Sequence, residues 1–269
     1  MASPSVLLSS AAFFGRPLAS TFRLAAEAGY RGVEVMVTKD PDSQDPRRVR
    51  ALAEEFDLEV GALHAPCLLL TRRVWGTDPV AKIERSVWAA EDAGISLVVV
   101  HPPYRWQRAF RRWMVDDLPW IEQRTGVIVA VENMFPVRVA GRGLTFHSNQ
   151  DLEQLEGMHH LALDTSHAAV AGHDPIDVRR RFGERLRHVH LSDNAGRGWD
   201  SHLPPGRGVL DLEGFLRSLG PTYDGAVSLE VDLRNGFEEE RRLLSTMTEM
   251  RRFAEGALGV GRVDPSLAG

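Results

Sequence analysis

Eight short apolar runs, recurring at a spacing of roughly thirty residues with helical patterning between them, constrain this chain more than any other feature. They are SVLLSSA (5–11), GVEVMV (32–37), EVGALH (59–64), SLVVVH (96–101), VIVAVE (127–132), LALD (161–164), HVHL (188–191) and AVSLEV (226–231). A short apolar run followed by an amphipathic stretch reads as a buried strand feeding a helix that packs back over it. Eight such units are what a closed parallel barrel needs, so the predicted fold is α/β, a (β/α)8 TIM barrel. The 269 residues fit one such barrel as a single domain over 1–269, with its core at about 5–255 and a fraying tail, GALGVGRVDPSLAG.

The connecting segments carry their own start and stop signals. DPRRVRALAEEF from Asp45, DPVAKIERSVWAAEDAG from Asp78 and DPIDVRRRF from Asp174 each place Asp at the N-cap and Pro at the first helical position. Gly29 and Gly94 follow helical stretches where a left-handed cap belongs, just before the next strand. In RWQRAFRRWMVDDLPWIEQ the helical period predicts that Trp106, Phe110, Trp113 and Trp120 share a face packed on the barrel. Trp75 and Trp199 are left as candidates for an interface or a cap over a pocket.

Composition narrows the function classes. A single cysteine, Cys67, excludes an internal disulfide and any thiolate-rich zinc site, and fits a reducing cytoplasm. A net charge of -5 gives no basic footprint for nucleic acid. No apolar stretch reaches 18 residues, and VLLSSAAFFG lacks a preceding Lys or Arg, so it reads as a first strand and not a signal peptide. The expectation is a cytoplasmic protein without membrane association.

Ionisable residues close nearly every predicted strand: Glu34, His64, His101, Glu132, Asp164, His190 and Glu230. A (β/α)8 barrel gathers its chemistry at the C-terminal rim, where these positions converge. The loop HLSDNAGRGWDSHLPPGRG (190–208) adds Asp200 and His202, and LDTSHAAVAGHDP adds His167 three residues after Asp164. So many imidazoles and carboxylates on one rim would repel and desolvate one another without a cation. The all-O/N set suits a divalent metal, Mn, Mg, Co or Zn, without choosing between them. His173 and Asp174 read as helix entry, outside the site. His188, two residues before His190, faces the same inward side one layer deeper, as a buried hydrogen-bonded partner.

The ordered set GYRGVEV, LHAP, VVVHPP, VEN, LDTSHAAVAGHDP, HVHLSDN, DSHLPPGRG and LEV resembles the xylose isomerase-like barrel superfamily over about residues 5–255. That superfamily joins sugar and sugar-phosphate isomerases and epimerases to endonuclease IV-type apurinic endonucleases. The isomerase and epimerase resemblance implies one divalent metal held by Glu132, Asp164, His190 and Glu230, with Glu132 and Glu230 also moving protons on the two faces of the substrate. A metal chelating a carbonyl and its neighbouring hydroxyl stabilises an enediolate, and a carboxylate takes the carbon-bound proton. His167 would bind substrate oxygens, with Glu34, His64, His101 and Arg197 as further polar contacts. This reading needs a small carbohydrate and no nucleotide cofactor, and the resemblance implies a homo-oligomer.

The endonuclease resemblance implies three zinc ions: one at His64, His101 and Glu132, a second at Glu132, Asp164, His190 and Glu230, a third at His167, Asp200 and His202. Cys67 stands where that branch has an aromatic probe of the DNA stack, and HLPPGRG is closer to the sugar branch's H-x-P-x-G-x-G loop. The expected function is therefore a metal-dependent isomerase or epimerase working on an inosose-type compound, sugar or sugar phosphate. Apurinic phosphodiesterase, sugar or keto-acid dehydratase and a binding protein with a vestigial site remain alternatives.

Overall fold

The computed structural model describes residues 4–139, 142–144, 152–234 and 239–260. Eight parallel strands close into a barrel: β1 (Ser5–Ser9), β2 (Gly32–Met36), β3 (Glu59–His64), β4 (Leu97–Val100), β5 (Ile128–Glu132), β8 (Leu161–Asp164), β9 (Leu186–Leu191) and β10 (Ala226–Leu229). All eight fall on the runs read from the sequence. Between β5 and β8 the chain inserts an antiparallel pair outside the barrel, β6 (Val137–Val139) and β7 (Arg142–Leu144). Strand ends differ by a few residues from the apolar runs. β10 stops at Leu229, so Glu230 lies just past the ladder, on the rim.

Nine α-helices are described: α1 (Leu18–Glu27), α2 (Pro46–Phe56), α3 (Pro79–Ala93), α4 (Arg108–Asp116), α5 (Leu118–Thr125), α6 (Thr165–Val170), α7 (Pro175–Phe182), α8 (Leu212–Leu219) and α9 (Glu240–Leu258). The three Asp-Pro openers behave as expected. Asp45, Asp78 and Asp174 accept from backbone N–H groups of the first turn at 2.9, 2.9 and 2.8 Å, satisfying donors that have no partner within the helix. Gly94 caps α3 at φ 76°, and Gly29, at φ 79°, follows the end of α1, in a region that a Cβ disfavours. No described helix is long and apolar enough to cross a membrane.

The aromatic segment 105–123 departs from a single helix. Asp117 and Pro119 divide it into α4 and α5, because a proline ring cannot donate to the preceding turn. The periodic phase is reset at the break. Phe110 and Trp113 pack on the core, whereas Trp106 and Trp120 are 66% and 61% exposed. Trp120 instead carries Arg124 over its ring at 5.0 Å.

The main core lies between barrel and helices. A smaller cluster fills the barrel interior, with Leu97 and Val99 beside three alanines, Ala62, Ala130 and Ala162. Small interior residues leave volume above them for the buried imidazoles and carboxylates of the site.

Candidate active site and metal centre

Glu132 ends β5, Asp164 ends β8, His190 is the penultimate residue of β9, and Glu230 follows β10. The register therefore brings all four to one height. His190 Nδ1 lies 2.9 Å from Glu132 Oε1, 2.9 Å from Glu230 Oε2 and 4.0 Å from Asp164 Oδ2. One imidazole N–H cannot satisfy three carboxylates. Glu132 Oε2, Asp164 Oδ2 and Glu230 Oε2 are all buried without a well-aligned hydrogen-bond donor, and a buried acceptor left unpaired costs about 1–3 kcal/mol. An excess of buried anionic acceptors around an imidazole nitrogen is the donor set of a hard or borderline divalent cation, so the residues present fit such an ion.

Electrostatics agree with that deficit. Burial drives the Glu132 carboxyl upward, but the His190 and His167 imidazoles outweigh it and hold the group well below the usual carboxylate range. Burial also pushes Asp164 up to about 6, with the His167 and His202 imidazoles only partly opposing it. Against the desolvation that disfavours its cation, His190 is raised well above the usual histidine value by Glu34, Glu230 and Glu132.

A wider ring surrounds this centre. His64 Nε2 and His101 Nε2 lie 3.6 and 3.2 Å from Glu132 Oε2. His167, in the first turn of α6, turns Nε2 to within 3.3 Å of Asp200 Oδ2, and His202 Nε2 lies 2.7 Å from the same oxygen. The carboxylates overcome burial and raise the His202 imidazole to about 10. Three further groups could each hold an ion: His64, His101 and Glu132; Asp164, His167 and His202; and, one layer lower, Glu34, His188 and His190. The ring opens into a cavity of about 460 Å³ lined by His64, His101, Glu132, His167, Asp200, His202 and Glu230.

Residues outside the sequence-read set hold this ring in place. Asn133 Oδ1 accepts from the Asp164 N–H at 2.8 Å, its Nδ2 donates to the Asp164 carbonyl at 3.1 Å, and its own carbonyl meets His167 Nδ1 at 3.0 Å. One amide thus ties the end of β5 to the end of β8. Asp193 folds the loop 193–210 back over the rim, accepting from Asn194, Gly206, Gly208 and Leu210 N–H groups at 2.9–3.0 Å. A Cβ on Gly208 would lie 2.3 Å from the Asn194 carbonyl and from Asp193 Oδ1, so the loop closes only around glycine. His202 sits at φ 38°, a strained conformation placed at a ligand-capable residue. The signals for these roles were the Asx residues of VEN and SDN beside a glycine-rich loop.

The chain matches the xylose isomerase-like TIM barrel family over residues 22–251. It belongs to that family. An uncharacterized protein of Mycobacterium leprae (strain TN) is 39% identical over 272 residues, covering 91% of this chain and 96% of the relative. An inosose dehydratase of Lacticaseibacillus casei is 22% identical over 241 residues, covering 76% of this chain and 78% of its own. Among solved structures, a D-tagatose 3-epimerase-like protein superposes with a TM-score of 0.68 at 21% identity, covering 92% of this chain and 98% of the other. The IOLI protein with a bound zinc atom gives 0.68 at 18% identity, covering 94% and 99%.

Two residues expected as substrate contacts in this xylose isomerase-like barrel lie away from the cavity wall. Glu34 is the third of five residues in β2, one layer below the rim, and is 0% exposed. Its Oε2 accepts from His188 Nε2 at 2.5 Å and His190 Nε2 at 3.1 Å, and its Oε1 from Ser9 Oγ at 3.1 Å. Burial opposes its charge, but the His190 and His188 imidazoles hold it well below the carboxylate range. An ionised carboxylate only accepts, so both imidazoles donate through Nε2. That leaves His190 Nδ1 for a cation. His188 is buried one layer down, as its spacing predicted. Arg197 is exposed in the glycine-flanked loop and does not line the cavity. The arginine at the cavity mouth is Arg234, held on Asp232 at 2.8 and 2.6 Å.

Proposed function

We propose that this protein is a divalent-metal-dependent isomerase or epimerase acting on a small polyhydroxylated carbonyl compound by proton transfer at the carbon next to the carbonyl. Its relatives and structural neighbours include enzymes of sugar chemistry, an inosose dehydratase and a D-tagatose 3-epimerase-like protein among them. The observation that carries the reading is the excess of buried carboxylate oxygens around one ring nitrogen: Glu132 Oε1 and Glu230 Oε2 at 2.9 Å and Asp164 Oδ2 at 4.0 Å from His190 Nδ1.

Glu132, Asp164, His190 and Glu230 would hold the ion. When bound, such an ion polarises a substrate carbonyl and its neighbouring hydroxyl and so acidifies the carbon-bound proton. The chain's own groups then move that proton. Glu132 and Glu230 come from β5 and β10, with β8 and β9 between them around the barrel, so a carbon seated between the two presents one face to each carboxylate. One takes the proton and the other returns it, on the opposite face for epimerisation or at the neighbouring carbon for isomerisation. His167, His202, His64 and His101 bind the remaining oxygens near the ring, and the loop from Asp193 to Leu210 excludes water above them.

A second reading, phosphodiester cleavage at an abasic site with three zinc ions, draws on the additional clusters at His64, His101 and Glu132 and at Asp164, His167 and His202. Metal content separates the two. Elemental analysis with deuterium incorporation from solvent, across ketoses, inososes and keto acids, tests the main reading. One ion per chain and exchange at a single carbon are expected, with Glu132→Gln and Glu230→Gln each slowing exchange by about 10²–10⁴-fold while retaining metal. Three zinc ions with nicking of abasic DNA would overturn it. Net loss of water from the exchanging compound would make the enzyme a dehydratase sharing the same first step.

A further inference from the structure

The cavity wall is of two kinds. Around Glu132 and Glu230 it is imidazole and carboxylate, with Met36 level with His64 and Phe135 against the His167 ring; Phe14, Leu68, Leu70 and Trp199 add further apolar wall. Leu70 and Trp199 keep 63% and 55% of their surface exposed, which is unusual for large apolar side chains gathered at one opening unless something covers them. Among the described lining residues the mouth offers little polar recognition. Ser201 Oγ accepts from the Ala195 N–H at 2.9 Å, and Arg234 is clamped on Asp232 by two bonds. Arg234, the arginine among the described lining residues, is thus already paired with a carboxylate.

Size gives an independent constraint. At about 460 Å³ the cavity falls in the range that suits drug-sized ligands, about 300–1,000 Å³, more than a single sugar ring needs. A free sugar would be held by the carboxylate layer and the imidazoles beside it, and any hydroxyl set against the hydrocarbon and aromatic side chains of the wall would find no partner in them.

Building on the proposed proton-transfer chemistry, we infer that the substrate joins an α-hydroxycarbonyl head to an aromatic or similarly apolar substituent, as in a keto-sugar glycoside with an aromatic aglycone. The head reaches Glu132 and Glu230, and the apolar part lies between Phe14, Leu70 and Trp199. A phosphorylated ketose supplies the head but not the apolar part.

Three probes share the head and differ only beyond it: phenacyl alcohol, hydroxyacetone and dihydroxyacetone phosphate. Calorimetric titration of the whole protein, with and without Mn²⁺, should give binding of phenacyl alcohol about tenfold or more tighter than hydroxyacetone. Dihydroxyacetone phosphate should show no advantage over hydroxyacetone. Leu70→Ser and Trp199→Ser should each reduce the phenyl preference at least about threefold while leaving hydroxyacetone binding unchanged. Both side chains are largely exposed, so neither variant removes core packing. Equal binding of the two alcohols, including no binding of either, or a preference for the phosphate, overturns the inference. Titration reads no turnover, so failure of isotope exchange with selective binding intact would instead count against the proton-transfer reading.

Discussion

Replacing Glu34 with Gln tests whether the layer beneath the rim prepares His190 for a cation. The carboxylate is fully buried and accepts three hydrogen bonds, from Ser9, His188 and His190. Gln keeps the volume but loses the charge, and its amide nitrogen must face a donor that the carboxylate formerly accepted. His190 then loses the partner that keeps its proton on Nε2, and the tautomer with Nδ1 protonated becomes competitive. Outer partners of ligating histidines contribute about 10–100-fold in metal affinity, equivalent to about 1.4–2.7 kcal/mol. The same substitution leaves a buried donor unpaired, about 1–3 kcal/mol of stability, and at about 2–4 °C per kcal/mol the melting temperature should fall by roughly 2–12 °C. Competition against a chromophoric chelator gives the metal affinity, and the visible spectrum of the Co²⁺-loaded protein reports the altered donor. At saturating metal, turnover should recover to within a few-fold of wild type, unlike Glu132→Gln. An affinity within twofold of wild type, with an unchanged cobalt spectrum, refutes the reasoning.

Two further outcomes follow from the same geometry. Asp164 titrates at about 6 without a cation, and His190 well above the usual histidine value; both groups bind protons that a cation must displace, so metal affinity rises with pH. The expected slope is about one decade per pH unit near neutrality, where His190 is the one protonated group among the four proposed ligands, steepening to about two below pH 6 as Asp164 joins it; a flat affinity from about pH 5 to 8 contradicts this. Gly208→Ala should force Asn194 and Asp193 apart, since the added Cβ meets both at 2.3 Å, at about 1–3 kcal/mol; tryptic cleavage at Arg197 or Arg207 should accelerate, and unchanged cleavage with unchanged urea stability would show that the loop closes in another way.

The barrel was legible because an apolar run marks every strand and, at the units that carry them, Asp-Pro openers and glycine caps mark the same boundaries. The rim was legible for a related reason. His64, Glu132 and Asp164 end their strands, and His190, His101 and Glu230 lie within a residue or so of an end, so sequence position translates directly into height on the barrel. Glu34 broke that translation. It belongs to the run GVEVMV like the others, but its strand continues past it, which lowers it beneath the cavity. The distinction depends on where β2 ends relative to its neighbours, and its ladder with β3 contains a register shift at Val33/Glu34 that alternation alone does not reveal. Trp106 and Trp120 failed through a break at Asp117 and Pro119 that shifts the helical phase. Asn133 and Asp193 were missed because they act on backbone groups distant in sequence.

The charge pattern of the rim ties these observations together. Five carboxylates, on Glu34, Glu132, Asp164, Asp200 and Glu230, share a small buried volume with six imidazoles. Without a cation, protons on His167, His190 and His202 do the balancing, and all three are raised by neighbouring carboxylates. His101 and His188 go the other way, lowered chiefly by burial. Proton and metal are thus alternatives at the same nitrogen. A first cation at the proposed centre of Glu132, Asp164, His190 and Glu230 would displace the proton of His190, while the Asp200 pairings with His167 and His202 could persist unchanged. A cation at Asp164, His167 and His202 would have to displace two more protons from imidazoles that Asp200 holds charged. On that ordering the four-residue centre would be the first to load, with His167 and His202 still charged, their ring nitrogens held by Asp200 and by the Asn133 and Glu230 carbonyls, so that the cavity wall beside the ion would keep a positive potential toward substrate oxygens.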